Sequence, residues 1–380
     1  MDLVITEEQQ LLRDSAREFV SASQPLRRIR MLRDSKDPTG FSLALWAEMA
    51  QLGWTGILFP EKYGGSGLGY SELAVVMEEL GRGLMPEPML STVLLGGNAI
   101  LLGGSEEQRQ NLLPPLIAGK LLMTLAYHEP GARYDLFNIE TRAERTNSGW
   151  RLRGTKDLVP DGHVAERMVV AARTDANGNE RSGITLFLVD SRAAGVSVTR
   201  QATIDSRGVA IVTFENVEVG DADVVGEPNA GGRLLADVVD RATVGLCAEM
   251  LGGMSAAFEM TLDYLKTRKQ FGVFIGTFQA LKHRAAMMFI ENELSRSAVM
   301  VAARAADTAD PKLPKLVSIA KARCSDAFIL IGNEGIQMHG GIGMTDEHDI
   351  GFFVKRARAA AVTFGDAAFH RNRYAEIEAY

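Results

Sequence analysis

The chain has 380 residues, enough for two or three domains. Its 46% hydrophobic and 23% charged residues describe an ordinary globular protein, and a formal net charge of −7 offers no basic surface for nucleic acid or an anionic membrane. Cys247 and Cys324 lie in helical apolar patterns and read as buried thiols, which points to a reducing compartment. With Asp2, Glu7 and Glu8 where a secretory leader would be basic and apolar, a cytoplasmic location is expected.

Up to about residue 120 the pattern is helical. Thr6-Glu-Glu-Gln9 reads as a capping box, followed by apolar Leu11, Leu12, Ala16 and Phe19. The most apolar segment, around Leu90 to Leu102, is too short and too interrupted by glycine to span a bilayer. Ser105-Glu-Glu-Gln108 starts another helix, which runs to Leu112 and Leu113 and is expected to stop at Pro114-Pro115.

From about 121 to 225 short β-branched runs replace the helical period. Met168 to Ala172, Ile184 to Val189, Val196 to Thr199 and Val209 to Val217 alternate with turns such as Asp175-Ala-Asn-Gly178, which predicts an antiparallel β domain. From about 226 long helices return. Leu246, Met250, Leu251, Met254, Phe258, Leu262 and Leu265 share one stripe. Leu281, Ala285, Met288 and Phe289 form a second, and Leu316, Ile319, Ala320, Ala327, Phe328 and Ile331 a third, with Gly332 as an expected C-cap. Methionines here fill core space, and Lys282-His283-Arg284 decorate a helix face. The expected organisation is α+β and multidomain: an N-terminal helical domain over 1–120, a middle β domain over 121–225 and a C-terminal four-helix bundle over 226–380.

Chemistry-bearing residues concentrate in two blocks. One is Arg268-Lys-Gln-Phe-Gly272 with Phe278-Gln279; the other begins at Gln337 and contains Gly340-Gly341-Ile-Gly343. Arg268, Gln270, Gln279 and Gln337 can bind a phosphate or an adenine edge, and side-chain-free Gly340 and Gly341 let a backbone approach a ligand closely. A glycine cluster alone means only a tight turn. In order and spacing with Phe59-Pro-Glu-Lys-Tyr-Gly-Gly-Ser-Gly-Leu-Gly69, Gly104-Ser-Glu-Glu-Gln108, Glu129-Pro-Gly-Ala132 and Phe214-Glu-Asn-Val217, the blocks resemble the acyl-CoA dehydrogenase family of flavoproteins.

The resemblance implies FAD as cofactor, an acyl-CoA substrate and an electron-transfer flavoprotein as acceptor. It implies a carboxylate that removes the α-proton of the thioester while the β-hydride is transferred to the flavin, with hydrogen bonds to the thioester carbonyl stabilising the enolate. By the same resemblance Arg268, Gln270, Phe271, Gln279, Gln337, Gly340 and Gly341 match residues that reach across a dimer interface to the neighbour's FAD. That clamp is intact.

Other family positions are altered. Relatives place Thr-Glu-Pro-Gly-Ala-Gly-Ser-Asp under the flavin, whereas this chain has His128-Glu-Pro-Gly-Ala-Arg-Tyr-Asp135, with Arg133 and Tyr134 for the small Gly and Ser. Relatives follow a lysine with Met-Trp-Ile-Thr-Asn-Gly; here Lys156 precedes Asp-Leu-Val-Pro-Asp-Gly162. Leu158 replaces the aromatic shield, and Pro160, at the Thr position, offers neither hydroxyl nor N–H. Gly365 stands at one family position for the base, and Ala242 at the other. Asp240 and Arg241 mimic a Glu-Arg pair, which makes Asp240 a candidate base and Arg241 a candidate substrate-side residue. Asp240 is two residues off the ungapped position, roughly 200° around a helix. Asp366 is adjacent to Gly365 but shorter than Glu, and Glu249 is expected to pack against an arginine or a backbone donor.

Residues serving a neighbour's cofactor survive while those serving the chain's own flavin are altered, and random decay would not sort them so. The expectation is a partner subunit that completes the FAD site of a catalytic homologue in a heterotetramer. The alternatives are a self-sufficient homotetramer with Asp240 or another acid as base, and the family fold turned to another substrate or used as a scaffold. Heteromeric relatives tend toward bulky or ring-bearing acyl chains, so the resemblance leans that way.

Overall fold

The structure, a computed structural model, describes residues 4–175 and 181–380. The turn expected at Asp175 to Gly178 lies largely outside them. In chain order the first helices are α1 (Glu7–Ala22), α2 (Pro25–Asp34), α3 (Leu43–Gln51), α4 (Tyr70–Arg82), α5 (Asn98–Gly103) and α6 (Glu106–Ile117). After the sheet come α7 (Gly231–Thr267), α8 (Gln279–Asp307), α9 (Leu313–His339), α10 (Ile350–Val362) and α11 (Ala367–Ile377). The strands are β1 (Met123–Ala126), β2 (Arg142–Thr146), β3 (Gly149–Pro160), β4 (Arg167–Arg173) and β5 (Ile184–Asp190), then β6 (Val196–Gln201), β7 (Val209–Val219) and β8 (Val224–Val225). A separate hairpin pairs β9 (Lys269–Gln270) with β10 (Val273–Phe274).

These elements form two compact units, each discontinuous in sequence. The helical unit holds Met1–Asp34, Gly69–Met85 and Thr243–Tyr380; the sheet unit holds Ser35–Leu68 and Pro86–Ala242.

Both expected capping boxes are present, Thr6 with Gln9 at the start of α1 and Ser105 with Gln108 at the start of α6. In the helical unit α9 packs against α8, α10 and α11. Cys247 and Cys324 are buried free thiols, as their apolar setting predicted. Helices α4 and α7 meet backbone to backbone, because a Cβ on Gly81 would overlap the carbonyl of Glu249 and one on Gly252 that of Glu78. No helix among the described residues is long and apolar enough to cross a membrane.

Several local expectations fail for identifiable reasons. α6 continues through Pro114 and Pro115 to Ile117, closed by Ala118 N donating to the Pro114 carbonyl (3.0 Å) and anchored by buried Leu113 and Leu116. Gly332 is not a C-cap: α9 runs on to His339, and Gly332 faces Val354 of α10, where an added Cβ would lie 3.2 Å from Val354 Cγ2. Phe289 and Ile319, assigned to core stripes, are 53% and 39% exposed.

In the sheet unit the strand order is β6-β7-β3-β2-β4-β5-β8, with β1 beside β4. Pairing is antiparallel except that β4 runs parallel to β1 and, through one residue pair, to β2. Leu152, Met168, Val170, Phe187, Val212 and Phe214 centre its core. Met89–Gly97 is a buried π-helix in this unit, a rare form that often accompanies functional sites.

Candidate functional site

The exposed face of the helical unit carries every residue of the expected clamp. α7 closes with Arg268 N donating to the Tyr264 carbonyl (2.9 Å) and leads directly into the β9–β10 hairpin. Its two-residue tip has φ of +53° at Phe271 and +81° at Gly272, the left-handed pair that matches strand twist. Glycine adopts this freely; phenylalanine does not, and Phe271 is 91% exposed, in edge-on contact with Phe278 at 6.1 Å between ring centroids. A large aromatic held strained in solvent is the kind of outlier found where a ligand or partner lands. Arg268, Gln270 and Gln279 are likewise exposed.

The second block sits at the end of α9. Gln337, Gly340 and Gly341 are exposed, and Gly340 has φ +64° and ψ −140°, a conformation open to glycine alone. A Cβ at either Gly340 or Gly341 would meet nothing within 4 Å, so the backbone there is open to close approach. Side-chain stacking joins the two blocks. The Tyr264 ring, one turn before Arg268, lies 4.5 Å from that of His339, the residue before Gly340, and His348 lies 4.3 Å beyond it. His339 Nδ1 donates to the Gly335 carbonyl (2.7 Å), and its buried Nε2 has no hydrogen-bond partner among the described residues. Burial holds both imidazoles below their ordinary pKa. Sequence reasoning missed this stack, in which Tyr264 lies more than seventy residues before the two histidines.

The turn expected to match the C-terminal base position is closed. Phe364 and Gly365 have φ of +60° and +110°. Lys321 Nζ, fully buried, donates to the carbonyls of Gly365 (2.7 Å) and Ala361 (3.0 Å) and to Ser325 Oγ (3.1 Å). His370 Nε2 donates to the Phe364 carbonyl at 3.0 Å. A Cβ on Gly365 would overlap Phe369 Cδ1 and lie 2.9 Å from His370 Nε2. Burial pushes Lys321 down to about 8, and burial followed by the nearby Lys321 pushes His370 down to about 3. Asp366 is engaged as the N-cap of α11, accepting from Phe369 N at 2.8 Å. Glu249 packs as expected, its Oε1 accepting from Arg356 Nε at 2.8 Å with both residues buried.

The other base position lies in the sheet unit. Ala242 is fully buried, and α7 is unbroken helix from Gly231 to Thr267, so Asp240 projects about 200° around the axis from it. Asp240 is itself 4% exposed, and Arg241 Nη1 donates to the Asp237 carbonyl at 3.3 Å.

The sheet unit also carries the segments expected to correspond to the family's flavin cradle. Glu129 is buried, pairs with Lys156 and accepts from the backbone N–H groups of Glu140 (2.6 Å) and Thr141 (3.0 Å). Burial raises its pKa, and Lys156 with these donors outweighs that, leaving it below the ordinary value; burial pushes Lys156 down to about 8 against the pull of Glu129. Asp157 N donates to the His128 carbonyl (2.9 Å) and His128 Nε2 to that of Arg133 (2.8 Å), so the loop is fastened to β3. What differs is the residues presented. Leu158 bulges out of β3 with φ +50° and 52% exposure, and Arg133 is exposed with φ +52°. The Pro160 carbonyl accepts from Thr124 Oγ1 at 2.7 Å, and Asp161 accepts from Ser91 Oγ of the π-helix at 2.6 Å. No cluster of metal-ligating side chains occurs among the described residues.

Family models cover the chain in three stretches. Residues 6–120 match the N-terminal domain of acyl-CoA dehydrogenases, 124–217 the middle domain and 229–378 the C-terminal domain. A 3-(aryl)acrylate reductase of Clostridium sporogenes is 31% identical over 96% of each chain. The probable acyl-CoA dehydrogenase YngJ of Bacillus subtilis is 30% identical over 98% of each. Among solved structures, the ChsE4-ChsE5 complex from Mycobacterium tuberculosis superposes with a TM-score of 0.90 at 28% identity, covering 100% of this chain and 99% of the other. The chain belongs to the acyl-CoA dehydrogenase family.

Proposed function

We propose that this chain is a partner subunit of a heterotetrameric acyl-CoA dehydrogenase, completing the FAD site of a related catalytic chain rather than running the reaction at its own. The complex would dehydrogenate an acyl-CoA thioester between Cα and Cβ and pass electrons to an electron-transfer flavoprotein. The observation that carries the reading is the contrast between the open clamp at Gly340 and Gly341 and the closed base position at Gly365.

The residues present fit the nucleotide end of FAD and not its ring. Arg268 would neutralise diphosphate charge, Phe271 would cover an aromatic or sugar face, and Gly340 and Gly341 would admit the ligand against bare backbone. Gln270, Gln279 and Gln337 supply neutral donors and acceptors for an adenine edge. On the ring side, Pro160 has no N–H to donate, and Arg133 and Leu158 occupy positions where a cradle needs small or aromatic groups. FAD, when bound, supplies hydride acceptance; this chain holds and orients its distal half.

The alternative of a self-sufficient homotetramer draws on one observation, the burial of Asp240, since a desolvated carboxylate is a plausible base. Flavin stoichiometry separates the two. Expressed alone, the chain is expected to lack stoichiometric flavin, and co-expressed with a neighbouring homologue it is expected to form a yellow complex with fewer FAD than chains. A yellow lone chain that oxidises an acyl-CoA would overturn the partner-subunit reading. Asp240→Asn keeps the side chain's size and removes its basicity, so the reading also predicts unchanged turnover of the complex; a loss of 100-fold or more, on the order of a missing general base, would favour the homotetramer.

A further inference from the structure

The turn holding Gly340 and Gly341 is poorly backed by core. A cleft of about 450 Å³, lined by Asn333, Ile336, Met344, His348, Phe352 and Lys355 among others, lies against the segment that follows it. Within the segment, Thr345 N and Oγ1 both bond the Ile342 carbonyl, at 3.1 and 2.8 Å. Beside the stacking of His348 on His339 and the packing of Gly343 against Ile336 and His339 of α9, an ionic fastening comes from α2. Arg33 grips both carboxylate oxygens of Asp346, at 2.6 and 2.7 Å. Arg30 Nη1 reaches the Asp346 carboxylate (2.9 Å) and its carbonyl, while Arg30 Nη2 reaches Asp349 Oδ1 (2.8 Å), so one guanidinium spans the segment between the glycine turn and α10. Both guanidiniums lie over the buried Phe352 ring, 4.9 and 5.5 Å from its centroid.

α2 itself has little fully buried apolar surface. Ile29 is its only buried residue, whereas neighbouring α1 buries Ala16, Phe19 and Val20. In a helix with so little buried apolar surface the ion pairs carry more of the docking, and half-exposed pairs weaken with salt. The bidentate, shared geometry at Asp346 is the arrangement in which such pairs retain effect.

We infer that Arg30 and Arg33, acting through Asp346, are positioning residues that hold the Gly340–Gly341 turn ready for the nucleotide end of the cofactor, which makes α2 a salt-sensitive strap on the clamp. The inference rests on the partner-subunit reading for the identity of the ligand. The strap itself is a property of this chain.

Asp346→Asn in the co-expressed complex tests it, read by amide hydrogen exchange across 340–349 and by flavin fluorescence released on dilution. Expected are exchange about tenfold faster in that segment and flavin retention about tenfold weaker. In the wild type, raising salt to roughly 0.5 M should reproduce both effects, and the variant should show little further response. The swapped pair Arg33→Asp with Asp346→Arg should restore part of the protection. If Asp346→Asn lowers global stability, Arg33→Lys replaces it, keeping charge while losing the two-pronged grip. Unchanged exchange in the segment overturns the strap. Faster exchange with normal flavin retention overturns its role in positioning, provided Arg268→Ala does weaken retention. If Arg268→Ala has no effect either, the partner-subunit reading fails and takes the ligand assignment with it.

Discussion

Replacing Glu129 with alanine is expected to destabilise the sheet unit by about 3–5 kcal/mol, the cost of stripping one partner from a buried ion pair. Lys156 would keep a single weak acceptor, the Tyr127 carbonyl at 3.3 Å, and the N–H groups of Glu140 and Thr141 would lose theirs. The deficit should depend on pH. Burial lowers Lys156 to about 8 in the folded chain, so between about pH 8 and the ordinary lysine value the unfolded chain binds the extra proton and stability rises with pH. Without Glu129 the folded pKa falls further and that window widens downward. The Glu129→Ala deficit should therefore narrow as pH is raised to about 8 and stay level above it, where Lys156 is neutral in both folded chains. Denaturant midpoints at a series of pH values check this, and adding Lys156→Met to Glu129→Ala should recover part of the loss. A pH-independent deficit would mean the pair is a packing feature with no electrostatic role.

That pair shows where the sequence is legible and where it stops. The motif around Glu129 and Lys156 was readable; that the two meet, fastening the 128–135 loop to β3, was not, because a lysine in isolation reads as a surface residue. The same blindness hid Lys321, which satisfies carbonyls 40 and 44 residues downstream. Signals confined to a few neighbouring residues carried through, as at the capping boxes of Thr6 and Ser105, where both partners lie within one turn. Glycine was ambiguous for a physical reason: Gly332 as a packing contact and Gly340 as a helix terminus spell the same letter, and only the neighbouring helix α10 tells them apart. The parallel pairing of β1 with β4 depends on a connection that no local period encodes. Exposure of the clamp residues agrees with a role toward something outside the unit. The i+5 hydrogen bonding of Met89–Gly97 left no trace in an apolar run that reads equally as ordinary helix.

The base position makes the sharper demand. If this chain had merely lost a glutamate, Gly365→Glu would restore one at little cost. The local geometry predicts the reverse. At φ +110° any side chain is strained, and its first carbon meets Phe369 and His370 before a carboxylate could be placed. Overpacking and backbone strain together should cost about 3 kcal/mol or more, and Gly365→Ala should carry most of that because the offending atom is Cβ itself. Phe369→Ala in the Gly365→Ala background should relieve the overlap with the ring yet leave the φ strain and the 2.9 Å approach to His370 Nε2. Thermal unfolding of the co-expressed complex measures the loss of stability, and acyl-CoA oxidation by the lone Gly365→Glu chain shows whether any activity is gained. A Gly365→Glu chain that keeps its melting temperature and gains dehydrogenase activity on its own would show a vacant catalytic seat. The Lys321 and His370 hydrogen bonds suit this turn to glycine, since each fixes a carbonyl whose direction depends on the left-handed backbone.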